Sequence, residues 1–198
     1  MRARHPDGQV FTFDAGTLCL ELSSFSGGAG WRARFELLHT PADFVRWAFD
    51  SRLDPRAAGV TPAEVRATED DLALVKELRE AIWAGAWALA TGAEVSLADA
   101  AVINQVATGA VPVPEIGPDL ARTWRRPVLA GQLTALIARD AVATLTPPTS
   151  SRVRMCAADN CGLVYLDTSR PGSRRWCSME RCGNRAKVRA HRSTPDRP

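Results

Sequence analysis

Four of the five cysteines crowd the last quarter of a 198-residue chain, where Cys156, Cys161, Cys177 and Cys182 are spaced C-x4-C-x15-C-x4-C. Two thiol pairs, each delivered by one short turn of chain, are what a tetrahedral metal site requires. Four thiolates suit Zn2+, which has no redox chemistry and would keep no open coordination position, so the sequence predicts a structural zinc site. Two other uses of four cysteines compete. Disulfides would need an oxidising compartment, and the N-terminus, MRARHPDGQVF, has no apolar stretch behind its arginines to act as a secretory signal. An iron–sulfur cluster also takes four cysteines, and an x4 spacing is less diagnostic than x2. His191, nine residues beyond Cys182, could replace one cysteine, but four thiols already fill a tetrahedron. Cys19, between Leu18 and Leu20, reads as a buried apolar residue.

The same region is basic. Residues 151–198 carry 11 Lys and Arg against 4 Asp and Glu, a formal +7, whereas residues 1–150 carry 14 against 18, a formal −4. The chain average of +3 conceals this polarity. Zinc on four thiolates would bring the basic end to about +5. At about 100° per residue, Arg181, Arg185, Arg189 and Arg192 fall on one narrow helix face bordered by Asn184. Like charges at i and i+4 repel, so an anionic partner is expected to offset them. Arg matches phosphate and guanine edges and Asn matches adenine, which makes nucleic acid the leading partner. Arg174 and Arg175 beside Trp176, together with Lys187, complete the candidate nucleic-acid contacts. The bland alternative is a solvated face, or one that pairs with the acidic first part of the chain. No comparable pattern points to an enzyme: His5, His39 and His191 lie in separate segments, and there is no phosphate loop, nucleophile elbow or dinucleotide fingerprint.

The elements that must position these groups divide the chain in two. Thr146-Pro147-Pro148-Thr149-Ser150-Ser151 is the clearest non-helical connector, giving a module over residues 1–150 and a basic one over 151–198. The first reads as mainly helical. Leu72, Val75, Leu78, Ile82, Ala86 and Leu89 recur at helical spacing behind acidic Glu69, Asp70 and Asp71, predicting a helix over residues 69–91. Thr40-Pro41-Ala42-Asp43 is a capping-box start, Ser96 caps a helix through Ala107, and Pro127 begins a last one carrying Leu129, Leu133, Leu136 and Ile137. Residues 9–13 read as a short strand, 16–22 as strand or helix, and 111–114 as an extended connector. In the second module, residues 163–166 and 174–176 are expected to form a hairpin that delivers Cys177, followed by a helix over 183–193. The fold class is thus a mainly α N-terminal domain with a short β element, plus a small finger similar to a treble clef. Such a finger has too few large apolar residues to fold without its metal. The most apolar stretch, residues 81–90, is too short to cross a bilayer, and a cytoplasmic location is expected.

The C-terminal quarter resembles the CGNR zinc finger. The tetrad itself is Cys182-Gly183-Asn184-Arg185, supported by Arg154-x-Cys156, Cys161-Gly162, Leu166-Asp167-Thr168-Ser169-Arg170, Arg174-Arg175-Trp176-Cys177-Ser178-Met179 and Lys187-Val188-Arg189. More loosely, residues 11–145 resemble the ABATE domain of stress-induced transcription regulators that precedes this finger. The similarity runs through Gly16-Thr17-Leu18-Cys19-Leu20-Glu21-Leu22 and Asp43-Phe44-x-x-Trp47, while Ser23-Ser24 replaces an Asn-Thr pair usual in that domain. The resemblance implies a bacterial transcription regulator that binds DNA through a Zn2+-dependent finger, with the four cysteines as ligands and the arginines as DNA contacts. The N-terminal domain would sense a small-molecule effector or mediate homodimerisation. The alternative is an RNA- or protein-binding adaptor, in which Trp176 and Tyr165 stack on unpaired bases.

Overall fold

The computed structural model describes residues 2–4, 9–24, 26–28 and 30–193, with the side chains of residues 2–4, 31 and 190–193 outside that description. Five helices build the N-terminal part: α1 (Leu18–Ser23), α2 (Pro41–Asp50), α3 (Glu69–Thr91), α4 (Leu97–Ala107) and α5 (Ala130–Leu145). A sixth, α6 (Asn184–Ser193), ends the described chain. The strands are short and pair off in twos. β1 (Arg2–Arg4) with β2 (Val10–Thr12), β4 (Pro114–Ile116) with β5 (Arg122–Trp124), and β7 (Val153–Met155) with β8 (Val164–Leu166) are antiparallel. β3 (Val65–Arg66) and β6 (Val128–Leu129) pair in parallel.

The helix starts follow from local chemistry. At α3 the Thr68 hydroxyl accepts from Asp71 N at 3.2 Å while the Asp71 carboxylate accepts from Thr68 N at 2.9 Å, so two orphan amides are satisfied reciprocally. The same box opens α2 at Thr40 and Asp43, and Ser96 caps α4. Helix α3 is the central element, packed against α1, α2, α4, α5, β7 and β8. Leu72, Val75, Leu78, Ile82 and Ala86 are buried as the periodicity predicts, but Arg79, Ala81, Gly85 and Ala88 are buried too. The helix is enclosed on more than one stripe because neighbours pack on several sides of it.

Arg79, only 1% exposed, makes that enclosure tolerable by forking onto Glu36 at 2.7 and 2.8 Å and reaching Glu80 at 3.0 Å. Arg32 pairs with the other Glu80 oxygen and lies 4.1 Å from the centre of the Trp83 ring. Burial alone would raise the Glu36 carboxyl, but bonds from Arg79 and from the Leu38 and Leu37 amides outweigh it and hold the pKa at about 2.

Two sequence expectations shift. Helix α5 begins at Ala130 rather than Pro127, because Val128 and Leu129 are drawn into pairing with β3, and Leu129 is left exposed. The connector at 111–114 leads into the β4–β5 hairpin, which single-strand patterning did not show. Of residues 16–22, left open between strand and helix, those from Leu18 onward belong to helix α1.

The connector at 146–151 does not separate two cores. After a short 3-10 turn (Thr149–Arg152), β7 and β8 lie against α3. Val153, Leu163, Val164 and Tyr165 bury their side chains in one continuous cluster with Phe13, Leu20, Leu78 and Ile82. Leu166 N donates to Ala15 O at 2.8 Å. At this crossing Gly16 has φ +86, and a Cβ there would lie 2.6 Å from Leu166 O, so only glycine lets the start of α1 meet the finger. The N-terminal β2 also docks on the finger, through Thr12 N to the Glu180 carboxylate at 3.1 Å.

Candidate metal centre and basic face

The four cysteines predicted as ligands meet. Their sulfurs all lie within 4.8 Å of one another, with Cys161 and Cys177 sulfurs 3.7 Å apart and Cys177 and Cys182 sulfurs 3.5 Å apart. Metal–thiolate bonds of about 2.3 Å in a tetrahedron place the sulfurs about 3.8 Å from each other, so the cage has the size of a closed four-thiolate site. Three of the cysteines are buried and Cys161 is half-buried.

Cys156 and Cys161 sit in the turn joining β7 to β8, closed by Cys156 N to Leu163 O at 2.9 Å and Cys161 N to Ala158 O at 3.0 Å. This corrects the expected hairpin. The strand that pairs with Val164–Leu166 is Val153–Met155, not residues 174–176, so the ribbon carries the first cysteine pair at its tip. Cys177 arrives instead on a loop, and Cys182 on a π turn (Met179–Gly183) that runs directly into α6. Gly183 is packed under the Met179 side chain: a Cβ would fall 2.6 Å from its sulfur, and the half-exposed methionine would have to move.

The loop before Cys177 is built by residues that spacing arguments passed over. Asp167 is fully buried, and its carboxylate accepts from Ser169 N, the Ser169 hydroxyl and Arg174 N at 2.9, 2.6 and 2.8 Å. Desolvation works against its charge, yet the Ser169 and Arg174 bonds keep its pKa below the usual value. The Tyr165 hydroxyl donates to Arg174 O at 2.9 Å. The sequence signal was there in Tyr165-Leu166-Asp167-Thr168-Ser169, but a buried Asp is indistinguishable from a turn Asp without the fold.

The electrostatics of the cage favour a cation. The neighbouring cysteine side chains, Cys161 first, and Cys177 N, which donates to the Cys156 sulfur at 3.4 Å, shift the Cys156 thiol down. The same crowding with Cys156 shifts the Cys161 and Cys177 thiols up, and burial raises Cys182. Four sulfurs this close cannot all carry charge without a positive ion among them, a demand that a bound metal meets.

The basic residues divide in two. Arg181 is 4% exposed and its guanidinium lies 5.4 Å from the centre of the Phe11 ring. It belongs to the π turn rather than to α6, so the constant helical step that aligned it with Arg185, Arg189 and Arg192 does not hold there. Arg174 is also turned inward: it donates to Trp176 O at 3.0 Å and Cys177 O at 2.6 Å and stacks 4.0 Å over Tyr165. It positions a cysteine loop, a role that spacing did not show, while staying half-exposed. Arg175, Asn184, Lys187 and Arg189 are exposed and Arg185 is half-buried, while the Arg192 side chain lies outside the described residues. Arg189 pairs with Asp159 at 2.6 Å, both groups well exposed. Tyr165 is fully buried and cannot stack on a base.

Among the described residues no helix is long and apolar enough to cross a membrane. A comparison with curated proteins finds no match. The profile of the CGNR zinc finger matches residues 152–194, and that of the ABATE family, described as "Putative stress-induced transcription regulator", matches residues 16–148. The sulfur cage and the basic helix behind it therefore belong to the finger of a chain that is a member of the ABATE family and carries a C-terminal CGNR zinc finger.

Proposed function

We propose that the protein is a DNA-binding transcription regulator whose finger is folded around one zinc ion. The observation that carries this reading is the junction at Cys182, where the last thiol of a four-sulfur cage runs straight into α6 with Lys187 and Arg189 exposed. Zinc is favoured over other ions by the donor set, since four thiolates in a tetrahedral cage are its usual structural site. When bound it supplies cross-linking and charge neutralisation. Cys156, Cys161, Cys177 and Cys182 hold it, and Arg174 and Asp167 hold the loop that delivers Cys177. The Arg189–Asp159 pair is solvent-exposed, worth about 0–1 kcal/mol, and yields readily to a phosphate. Arg175, 5.3 Å from the Trp176 ring centre, extends the basic surface beside the helix.

The N-terminal domain serves as the regulatory part, through an effector or through pairing of two copies. Leu97, Ile116 and Leu120, exposed on α4 and the β4–β5 hairpin, support a contact surface there. A dimer would add a second half-site to a small single-finger interface. The role is one of binding rather than catalysis; His39, the histidine whose side chain is described, is exposed and lies 3.1 Å from Glu36 O. An RNA adaptor is the second reading, weakened by the burial of Tyr165.

The test is a fluorescence-anisotropy titration of zinc-loaded protein on DNA recovered from a genome-wide binding profile, repeated across salt concentrations. Binding that falls steeply with salt is expected from counterion release. Absence of binding at low salt, or a flat salt response, overturns the reading, and preferential crosslinking to RNA in cells would replace it.

A further inference from the structure

A cleft of about 500 Å³ opens on the face of α2 that looks toward α1, far from the cysteines in sequence. Its walls are Glu21 from α1, Leu37 from the preceding loop, and Asp43, Arg46, Trp47 and Asp50 from α2. On α2, Arg46 and Asp50 form a ridge that this cleft shares with a neighbouring depression lined largely by Val45, Phe49 and prolines. The cleft thus combines three carboxylates, one guanidinium and an indole. Its volume lies in the range of small-molecule sites, roughly 300–1,000 Å³.

The charges are not interchangeable. Arg46 is 70% exposed and is held by the Asp43 carboxylate at 2.9 Å, so it sits at the rim in a weak surface pair. Asp43 spends its other oxygen on the α2 cap, where Thr40 keeps its pKa below the usual carboxylate value. Glu21 is only 5% exposed; Arg52, which is not part of the wall, bonds both its oxygens at 3.0 Å and leaves each a further lone pair. Asp50 is exposed on the ridge. Trp47 lines the cleft, is half-buried and stacks on Phe44, with centroids 6.0 Å apart and planes 13° from parallel, which restricts the ring. An indole face beside carboxylates, with Leu37 as an apolar end wall, is a recognition surface for an organic cation.

We infer that this cleft binds a small amphipathic ammonium or amidinium compound, its charge against Asp50 and Asp43 and its apolar part against Trp47 and Leu37. The inference deepens the regulatory reading of the N-terminal domain and rests on it only for the consequence of binding, not for binding itself. Two segments far apart in sequence, Gly16–Leu22 and Asp43–Trp47, contribute Glu21, Asp43 and Trp47 to the same wall. Glu21 and Asp43 already have Arg52 and Arg46 as partners, so the exposed Asp50 carboxylate is the group that favours a cation over an anionic or purely apolar ligand.

The test uses the full zinc-loaded chain and benzylammonium as the probe, with benzoate and benzyl alcohol as shape-matched controls. Binding is followed by NMR at the Trp47 indole N–H, assigned through a Trp47→Phe variant. Saturable shifts at Trp47 with benzylammonium, and none with benzoate, are expected. Asp50→Asn, an exposed change that leaves the fold intact, should weaken the affinity by about threefold. Equal binding of all three probes, shifts confined to other tryptophans, an unchanged affinity in Asp50→Asn, or no saturable shift would each overturn the inference. DNA affinity is measured separately on the probe-free protein: absence of binding at low salt would sink the regulator reading and leave the cleft result standing.

Discussion

Arg174 and Arg175 are neighbours in sequence with opposite duties. Arg174 is committed to Trp176 O, Cys177 O and the Tyr165 ring, so Arg174→Ala should leave the cysteine loop poorly fixed. Groups that orient ligands in this way typically contribute 10- to 100-fold in metal affinity, and a chelator-competition titration should show a loss of about that size. Arg175→Ala, by contrast, should retain zinc and reduce the slope of DNA affinity against salt by about one contact. A Cys177→Ser variant should drop from one bound zinc per chain to none by elemental analysis, because the remaining three sulfurs cannot close the cage. Glu36 provides a pH test. Its folded pKa of about 2 lies below the unfolded 4.5, so its stabilising contribution is complete above 4.5 and is lost as pH falls toward 2. Glu36→Ala should remove that acid dependence from the unfolding midpoint and cost about 2 kcal/mol, because buried Arg79 loses its forked partner and is left with the single carboxylate contact to Glu80.

At the scale of elements, the starts of α3 and α1 carry sequence signals that differ in kind. The start of α3 is fully written in Thr68-Glu69-Asp70-Asp71, and Thr68→Ala should cost about 1 kcal/mol in chemical denaturation. The start of α1 is written only in part. Gly16 reads as a turn residue, but its necessity comes from Leu166 O, 150 residues away in the chain. Gly16→Ala should combine a left-handed φ with a backbone clash and cost about 2 kcal/mol or more, loosening the seat of β8 on α1. Hydrogen exchange at Leu166 N, which bonds Ala15 O, should rise in that variant and stay unchanged in Thr68→Ala. Strands were the less legible elements: β3 and β6 are two residues each and exist only because they meet. No periodicity of that length can be read from a sequence.

For the whole molecule, the shared core alters what metal removal should do. Val164 and Tyr165 are fully buried in one cluster with Phe13 and Leu78, so the finger is a wall of the N-terminal domain. Chelation of the metal should lower the thermal midpoint of α-helical signal across the chain, measured by circular dichroism; an unchanged N-terminal transition would contradict a common core. Taken alone, the sequence determined the helix starts at α2, α3 and α4, the mainly α character, the four cysteines that cluster, and the polarity of charge between the two parts. Each of these is set by residues within a few positions of one another, or by residue type alone. Only the tertiary structure decided that Arg174 and Arg181 turn inward, that β8 pairs with residues 153–155, that the connector joins one core, and that Glu21 and Trp47 face a common cleft. Those outcomes depend on which distant surfaces compete for burial and hydrogen bonds, and a local pattern carries no record of that competition.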